Sequence, residues 1–371
     1  MSLDDMSIEE LKQLREVVSA LIDYSSAGII RNNFVEAFYR CTYSGRLHGN
    51  YRLFGAKSFR LTSNNPNMLN SPSSGSIYAK HVKRCFEAEW DHIFYTVDYG
   101  ALEERIIANL SRDKNKCNIF LKGLDSHCLN SYNYWKDKVE AILPREDNES
   151  TEEYVVRYKK AVDDGNKALK QIRSDSKPAS FALNYGAMAK KLSSIIKCNL
   201  DEAEQLHYKF HNELYPQINE MLQRVYSVAT KTGRVHLGLG CYLHSNNPDK
   251  DIRSLFNACS QFWSILTLLS INKLRQAIEK AKLEDKVEIV STIYDSIYLH
   301  VLDDNWTIKW VNDHLIPIML KPPFEDMIVE NEATGAIGYN WYDIVEIPNG
   351  ATIKEIEDAR KRAKELYQKN D

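Results

Sequence analysis

The sequence has few cysteines, and they are not arranged as a metal site or a disulfide framework. Its seven cysteines are scattered singly, without a CxxC pair, which favours a reducing, cytoplasmic compartment. The longest apolar run, residues 262–271, is about half the ~20 residues that a bilayer crossing needs. The acidic, helical N-terminal stretch also lacks the pattern of a secretory signal peptide.

Charge of one sign is not in excess either, because the formal net charge of the 371 residues is only −3. A hydrophobic fraction of 43% and a charged fraction of 27% are typical of a globular protein, and this length predicts two or three subdomains. Residues 137–164 hold nine acids and five bases, which leaves the rest of the chain near neutral. A local basic cleft for an anionic partner therefore remains possible.

The stretch 92–113, HIFYTVDYGALEERIIANLSRD, predicts a buried strand followed by a helix. The strand ends on a carboxylate, Asp98, and the helix begins near Leu102. A carboxylate at the tip of a buried strand needs compensation, from a cation or from solvent in a cleft. The alternative is that Asp98 only caps the following helix.

A second carboxylate occupies a similar position in residues 287–301, VEIVSTIYDSIYLHV. Two apolar β-type runs flank Tyr294-Asp295-Ser296, which predicts a hairpin with Asp295 at its tip. Two such acids on neighbouring strands can hold two Mg²⁺ ions about 3.5–4 Å apart, an arrangement used for phosphoryl transfer.

Residues 166–185 carry cations and aromatics at every fourth position, which places them on one stripe of a helix. The pattern fits either a solvated face that grades into a core face, or a site for a triphosphate and a stacked base. Pro178 predicts either a kink in this helix or a helix that starts close to Lys177. The stripe consists of Arg173, Lys177, Phe181 and Tyr185.

Two further segments carry polar side chains suited to nucleic acid. Residues 58–72 are rich in Asn, Ser and Pro and predict an extended segment that is either a surface loop or, through Arg60, a phosphate or base contact. Residues 251–282 predict a long buried helix that carries a polar line, which either caps loops or reads a minor groove. That line is Arg253, Asn257 and Gln261.

The remaining segments predict secondary structure without chemistry. Residues 1–35 read as one or two amphipathic helices, residues 43–58 as a hairpin or loop, and the last 25 or so as a peripheral charged helix. The acidic stretch 137–164 reads as a solvated helical insertion. His207 and His211 have the spacing of a zinc pair, but the base expected between them is missing, so we do not predict a metal there.

These pieces, in this order, resemble the polymerase module of family A DNA polymerases, the DNA polymerase I type of bacteria and many bacteriophages. The resemblance covers roughly residues 40–345. Asp98-Tyr99 through Glu103 and Arg105 resembles motif A, the stripe from Arg173 to Tyr185 with Gly186 resembles motif B, and Ile293 to Ser296 stands where motif C belongs. Arg60 in FRLTSNNPN and Gly338 to Trp341 are similar to further family segments.

The resemblance implies an α+β fold with an antiparallel palm sheet and a mostly helical fingers subdomain. The divisions it implies are 1–57 as a thumb remnant, 58–113 and 246–345 as palm, 114–245 as fingers with the insertion 137–164, and 346–371 as a C-terminal charged helix.

The resemblance also implies template-directed addition of deoxynucleotides to a primer 3′-hydroxyl with two Mg²⁺ ions. The implied roles are metal binding by Asp98, Tyr99 and Asp295; catalysis by Asp98, Asp295 and Lys177; nucleotide binding by Arg173, Lys177, Phe181, Tyr185, Glu103 and His127; and DNA binding by Arg60, Asn67, Arg253, Asn257 and Gln261. Glu103 would reject ribonucleotides beside C2′ of the sugar.

The sequence departs from the family pattern at Ser296, where motif C has a glutamate, and at Ala101, where motif A has a glutamine. We also expect that most of the thumb and a 3′–5′ exonuclease domain are missing and are supplied by a separate chain, as in a split phage-type enzyme in the host cytoplasm. Two alternatives are a single-subunit RNA polymerase, against which Glu103 speaks, and a catalytically inactive DNA-binding module, suggested by Ser296.

Overall fold

The computed structural model describes residues 6–72 and 76–369, so the first five residues of the expected N-terminal segment and the last two of the C-terminal helix lie outside it. The strands in these ranges are β1 Thr42–Tyr43, β2 Arg46–Leu47, β3 Asn50–Arg52, β4 Thr62–Asn64, β5 His92–Tyr99, β6 Arg234–Gly238, β7 Cys241–His244, β8 Val287–Ile293, β9 Ser296–Leu302, β10 Ala333–Gly338 and β11 Ile344–Ile347. The helices are α1 Ile8–Ile30, α2 Glu36–Cys41, α3 Ala79–Lys83, α4 Leu102–Ser111, α5 Lys114–Leu121, α6 Ser126–Tyr134, α7 Lys136–Glu140, α8 Thr151–Asp163, α9 Lys167–Asn184, α10 Ala189–Ile196, α11 Leu200–Tyr208, α12 Pro216–Thr232, α13 Pro248–Gln261, α14 Ile265–Ala281, α15 Asn305–Leu320 and α16 Ile353–Gln368.

The central element is a five-stranded antiparallel sheet in the order β11-β10-β5-β9-β8. Strand β5 lies in the middle of the sheet, and its residues are buried except for the partly exposed His92 and the exposed Asp98. The predicted strand, the predicted hairpin and the α+β fold class with an antiparallel sheet are confirmed.

The two faces of the sheet differ in what covers them. One face packs against α14, α15 and α16. Ile93, Tyr95 and Val97 of β5 alternate toward that core, and each has 0% exposure. The alternate residues of β5, which include Phe94 and Asp98, therefore point to the opposite face.

The acidic stretch 137–164 is not simply a solvated insertion. Helix α8 buries Tyr154, Val155 and Tyr158 completely in a second apolar cluster with side chains of α6 and α9. The expectation failed because the acids lie on the outer face of α8, while the tyrosines repeat at helical spacing on the inner face. The prediction of helix in this stretch is correct for α7 and α8.

Helix α9 runs without interruption through Pro178, so the alternative in which a helix starts near Lys177 is wrong. The long helix predicted at residues 251–282 is present as α13 and α14, joined by a single 3₁₀ turn at Phe262–Ser264. Residues 248–281 are long and apolar enough to cross a membrane, but 56% of their most apolar window is buried inside the protein, as in a core helix.

The helices at the two ends of the described chain differ in burial. Helix α1 has no buried residue, although it carries a row of apolar side chains. Helix α16 was expected to be peripheral, and that expectation is wrong, because Ile356, Ala359 and Ala363 are fully buried against the sheet and α15. The expectation failed because most residues of α16 are charged, although its buried apolar residues recur at helical spacing on one face.

Candidate active site

The structure places the two predicted acids side by side at one end of the sheet. Asp98 lies near the end of β5 and pairs in register with Ser296, the first residue of β9. The backbone N–H of Tyr99 donates a hydrogen bond to the backbone oxygen of Asp295 at 3.2 Å. Asp98 is exposed and Asp295 is half-buried, so both carboxylates are at least partly accessible to solvent.

The electrostatics show that these carboxylates are incompletely compensated. Burial raises the pKa of Asp295, and the nearby charge of Asp98 raises it further, while Arg60 opposes the shift. Two close carboxylates favour a bound cation, because a cation removes their mutual repulsion. The pair therefore fits a divalent metal ion by charge and by ligand type.

Both acids are flanked by residues with left-handed backbone. Ala101, between β5 and α4, has φ of 50°, and Tyr294, in the turn before Asp295, has φ of 54°. Such a conformation is uncommon for residues other than glycine and often marks a functional site. The two-residue turn of Tyr294 and Asp295 joins β8 to β9, since Ile293 pairs directly with Ser296.

Arg60, Glu103 and Tyr185 form one network beside the acids. Glu103 forms an ion pair with Arg60 and accepts a hydrogen bond from the Tyr185 hydroxyl. The Arg60 guanidinium also lies over the Tyr294 ring, 5.6 Å from its centroid. The side chain of Gln261, on α13, lies close enough to Tyr185 to oppose the rise that burial causes in the pKa of that tyrosine. The structure therefore brings together predicted residues from four separate segments of the sequence.

The cations predicted on α9 lie in different environments. Arg173 makes two hydrogen bonds to Asp125, at 3.0 and 2.7 Å, and this contact helps to lower the pKa of Asp125 to about 2 despite its burial. Lys177 has no carboxylate within ion-pair distance in the described part of the chain, which leaves its charge available to a ligand. Burial, followed by the charges of Lys177 and Arg173, lowers the pKa of His127.

The aromatic half of the stripe continues toward the acids. The rings of Phe181 and Tyr185 are nearly parallel, with centroids 6.5 Å apart, and the His127 ring contacts Phe181 edge-on at 6.2 Å. Phe181 is 44% exposed, which is unusual for a large apolar side chain next to a polar cluster. These rings form a partly open apolar surface that can receive a flat group.

The predicted DNA-contacting residues are only partly brought together. Arg253 is exposed and lies next to Gly186, where an added Cβ would be 3.7 Å from its Cγ. The buried Oδ1 of Asn257 has no hydrogen-bond partner in the described ranges. Asn67 stays apart from the network, because its side chain caps a 3₁₀ turn by accepting from the Leu69 N–H at 3.1 Å.

The sequence did not reveal three charged residues near this site. Lys83, at the end of α3, lies close enough to Asp98 for that carboxylate to raise its pKa against the lowering effect of burial. Glu104 and Lys116 form an ion pair beneath the network, and Lys116 is completely buried. A lysine in an apolar helical pattern was the only available signal for that pair, and it does not name the partner.

Comparison of the sequence with known proteins finds similarity to DNA polymerases. The family model described as DNA polymerase family A matches residues 1–148. DNA polymerase I of Treponema pallidum is 25% identical over 235 residues, which cover 63% of this chain and 21% of that protein. DNA polymerase I of Caldicellulosiruptor bescii is 21% identical over 94% of this chain and 37% of its own length. By these matches the chain is similar in sequence to family A DNA polymerases.

A solved structure shows the same fold. The POL domain of Pol1 from M. smegmatis, in complex with DNA primer-template and dNTP, matches 91% of this chain and 56% of that chain, with a TM-score of 0.72 and 21% sequence identity. The chain thus has the same fold as that POL domain. It spans well under half the length of the two curated relatives described above.

Proposed function

We propose that the chain is a template-directed DNA polymerase that adds deoxynucleotides to a primer 3′-hydroxyl. The observation that carries this proposal is the juxtaposition of Asp98 and Asp295 at one end of the sheet. Helix α9 adds Lys177, which has no carboxylate within ion-pair distance in the described part of the chain. The carboxylates of Asp98 and Asp295 and the backbone oxygen of Tyr99 would hold Mg²⁺. When bound, such ions lower the pKa of the attacking hydroxyl and stabilise charge on the leaving phosphates.

The residues of α9 and α6 supply the nucleotide site in this proposal. Lys177 binds the phosphates of the incoming nucleotide as a point charge, with Arg173 partly engaged by Asp125. Burial and the charges of Lys177 and Arg173 lower the pKa of His127, and a bound triphosphate would favour its charged, donating form. Phe181 and Tyr185 provide the surface on which the base and the sugar stack.

The primer-template contacts rest on the polar line of α13 and on the segment before α3. The exposed Arg253 lies beside Gly186, and the Asn257 oxygen, one helical turn further along α13, has no hydrogen-bond partner among the described residues. A duplex end would supply partners to both side chains. Arg60 is the residue that links this region to the acids, and Asn67 is assigned a backbone-contacting role beside it. In this proposal, residues 58–113 and 246–345 are the palm, 114–245 the fingers and 1–57 the thumb remnant.

The experiment that tests the proposal is a primed-template assay of the purified chain with Mg²⁺ and deoxynucleotides. Extension that requires Mg²⁺ and follows the template sequence supports it. Binding of the duplex without extension, under conditions in which a related polymerase extends the same primer, would instead favour the inactive DNA-binding module suggested by Ser296. Extension with ribonucleotides in preference to deoxynucleotides would favour the RNA polymerase alternative.

Glu103→Ala is expected to increase ribonucleotide incorporation by about 10–100-fold relative to deoxynucleotides, as expected for one specificity contact of about 1–3 kcal/mol. Arg60 and Tyr185 both hold the Glu103 carboxylate, so its position beside the proposed sugar site is restrained. The measurement is the ratio of kcat/KM values for the two nucleotide types. The control Glu152→Ala, an exposed acid paired with Lys122, should leave that ratio unchanged. An unchanged ratio in Glu103→Ala would show that another residue excludes the 2′-hydroxyl.

We further propose that a separate chain, carrying the thumb and a 3′–5′ exonuclease, packs on α1. The support is that α1 exposes apolar side chains, among them Val17 at 57%, Leu21 at 61% and Ile22 at 59%, and buries none. A long helix with an exposed apolar row is typical of a protein interface.

The isolated chain is accordingly expected to extend primers distributively, with weak primer-template binding. The measurement is the length distribution of products under single-turnover trap conditions, together with the affinity for the primed duplex. The doubly substituted Val17→Glu, Leu21→Glu chain should behave like the parent in this assay, because α1 contributes nothing to the described core. Tight, processive synthesis by the isolated chain would contradict the two-chain proposal.

A further inference from the structure

We propose that Glu89, Glu288 and His300 form a second metal site, for a transition-metal dication such as Zn²⁺, separate from the Asp98–Asp295 pair. One ligand atom from each of these three side chains lies within 4.8 Å of the other two. Ligand atoms around one zinc ion are at most about 4.2 Å apart, twice the usual bond length of about 2.1 Å. Both glutamates are exposed, so small side-chain rotations close the difference.

His300 provides independent support for a ligand at this place. The residue is 8% exposed, and neither ring nitrogen has a hydrogen-bond partner among the described residues. Buried polar groups are normally satisfied, and an unsatisfied imidazole beside two carboxylates is suited to a metal ion. The Phe94 ring packs edge-on against the imidazole, with the ring centroids 4.7 Å apart.

The register of the sheet separates this site from the catalytic acids. His300 pairs with both Phe94 of β5 and Glu288 of β8, whereas Asp98 pairs with Ser296. Four residues of strand correspond to about 13 Å at about 3.3 Å per residue, and an even spacing keeps both sites on one face of the sheet. Together with Glu89, His300 and Glu288 line a cavity of about 980 Å³ between this face and the segment that contains β1 and β2.

Arg46 on β2 already lies at the two carboxylates. Its guanidinium donates to Glu288 at 3.1 and 3.2 Å and forms an ion pair with Glu89. The single positive charge of Arg46 therefore offsets only one of the two glutamate charges, and Arg46 makes no hydrogen bond to His300 in the described structure. A metal ion would compete with Arg46 for both carboxylates and would also bind the unprotonated imidazole nitrogen of His300, which has no hydrogen-bond partner among the described residues.

The ligand set favours a transition metal over Mg²⁺. Imidazole nitrogen is a common ligand of Zn²⁺ and related ions, whereas Mg²⁺ prefers oxygen ligands in a near-ideal octahedron. The proposed site thus differs from the catalytic pair in ion type as well as in position. Its binding can be measured whether or not the chain extends primers, so a failure here leaves the proposed function untouched.

The test is isothermal titration of the full chain with ZnCl₂ in a background that carries Asp98→Asn and Asp295→Asn. We expect one Zn²⁺ per chain, with affinity reduced more than about 100-fold by His300→Ala or Glu288→Gln, because even outer-shell changes cost about 10–100-fold. The control His207→Ala removes a histidine of the unrelated His207–His211 pair and should leave this binding intact. Arg46→Ala should tighten it, since the competing cation is removed.

A second readout is the melting temperature, which should rise with ZnCl₂ in the background chain and stay unchanged in its His300→Ala derivative. This readout also shows whether each variant is folded before metal is added. The proposal is overturned if no stoichiometric Zn²⁺ binds to the background chain or to its Arg46→Ala derivative. Binding that survives both His300→Ala and Glu288→Gln overturns it equally.

Discussion

Asp98→Ala and Asp295→Ala are each expected to reduce Mg²⁺-dependent primer extension by at least about 10³-fold. Metal ions bound by these carboxylates supply several kcal/mol of charge stabilisation in phosphoryl transfer, and each 1.36 kcal/mol corresponds to a factor of about ten in rate. The two acids adjoin through the Tyr99–Asp295 backbone hydrogen bond, so neither can replace the other without a backbone shift. The measurement is single-turnover extension of one nucleotide at saturating primer-template.

The same variants should bind primed DNA with nearly parental affinity, because the proposed duplex contacts lie on α13 and around Arg60. Each variant loses an acid next to a cleft, so removing negative charge should if anything tighten binding to a polyanion. The matched control is Asp326→Ala, which removes an exposed acid that forms an ion pair with Arg112. This variant should extend primers at the parental rate. Parental extension by either Asp98→Ala or Asp295→Ala would remove the two-metal assignment.

Lys116→Ala is expected to lower the free energy of unfolding by about 3–5 kcal/mol. The lysine has 0% side-chain exposure, forms an ion pair with Glu104 and lies 5.0 Å from the centroid of the Tyr215 ring. Removing it leaves the Glu104 carboxylate, which is only 12% exposed, without its countercharge. Breaking a buried pair by deleting one partner typically costs this much. Urea denaturation of the variant and the parent gives the difference.

A double replacement separates the charge effect from the packing effect. Glu104→Gln combined with Lys116→Met fills a similar volume without a buried charge, and such replacements are often neutral or stabilising. We therefore expect the double variant to recover most of the lost stability. Lys159→Ala, which breaks an exposed pair with Asp163, is the control and should cost no more than about 1 kcal/mol. A loss of that small size in Lys116→Ala would contradict the buried-pair argument.

This pair also ties the stability of the core to the site. Besides its ion pair with Lys116, the Glu104 carboxylate accepts a hydrogen bond from Asn184 at 2.5 Å. Glu103 directly precedes Glu104 in α4, and Tyr185 directly follows Asn184 at the end of α9. The contacts of Glu104 thus fix α4 against α9, directly beneath the hydrogen bond between Tyr185 and Glu103. Partial loosening here should widen the space beside the proposed sugar site before the chain unfolds.

The sheet could be predicted from the sequence because its signals are local. The alternation in β5 and the apolar runs around Tyr294 and Asp295 each specify strands without knowledge of any partner. The same holds for the stripe of α9, whose spacing is set by the helix itself. The roles assigned to the residues on these elements remain predictions.

The contacts that were missed join residues distant in sequence. Asp125 was not expected to hold Arg173, because the two lie 48 positions apart and nothing local pairs them. Helix α8 was judged by its acids, although burial is decided by the one face that meets α6 and α9. The position of Lys83 near Asp98 likewise follows from the packing of α3, which its short sequence does not encode.

The proline in α9 gives this helix an uneven stiffness. Because Pro178 has no amide hydrogen, the carbonyl of Ser174 lacks its usual partner one turn away. Bending at that turn breaks fewer backbone hydrogen bonds than bending elsewhere along α9. The half of α9 that carries Arg173 can therefore change its angle relative to the half that leads to Tyr185, so the charged and the aromatic side chains can move relative to each other.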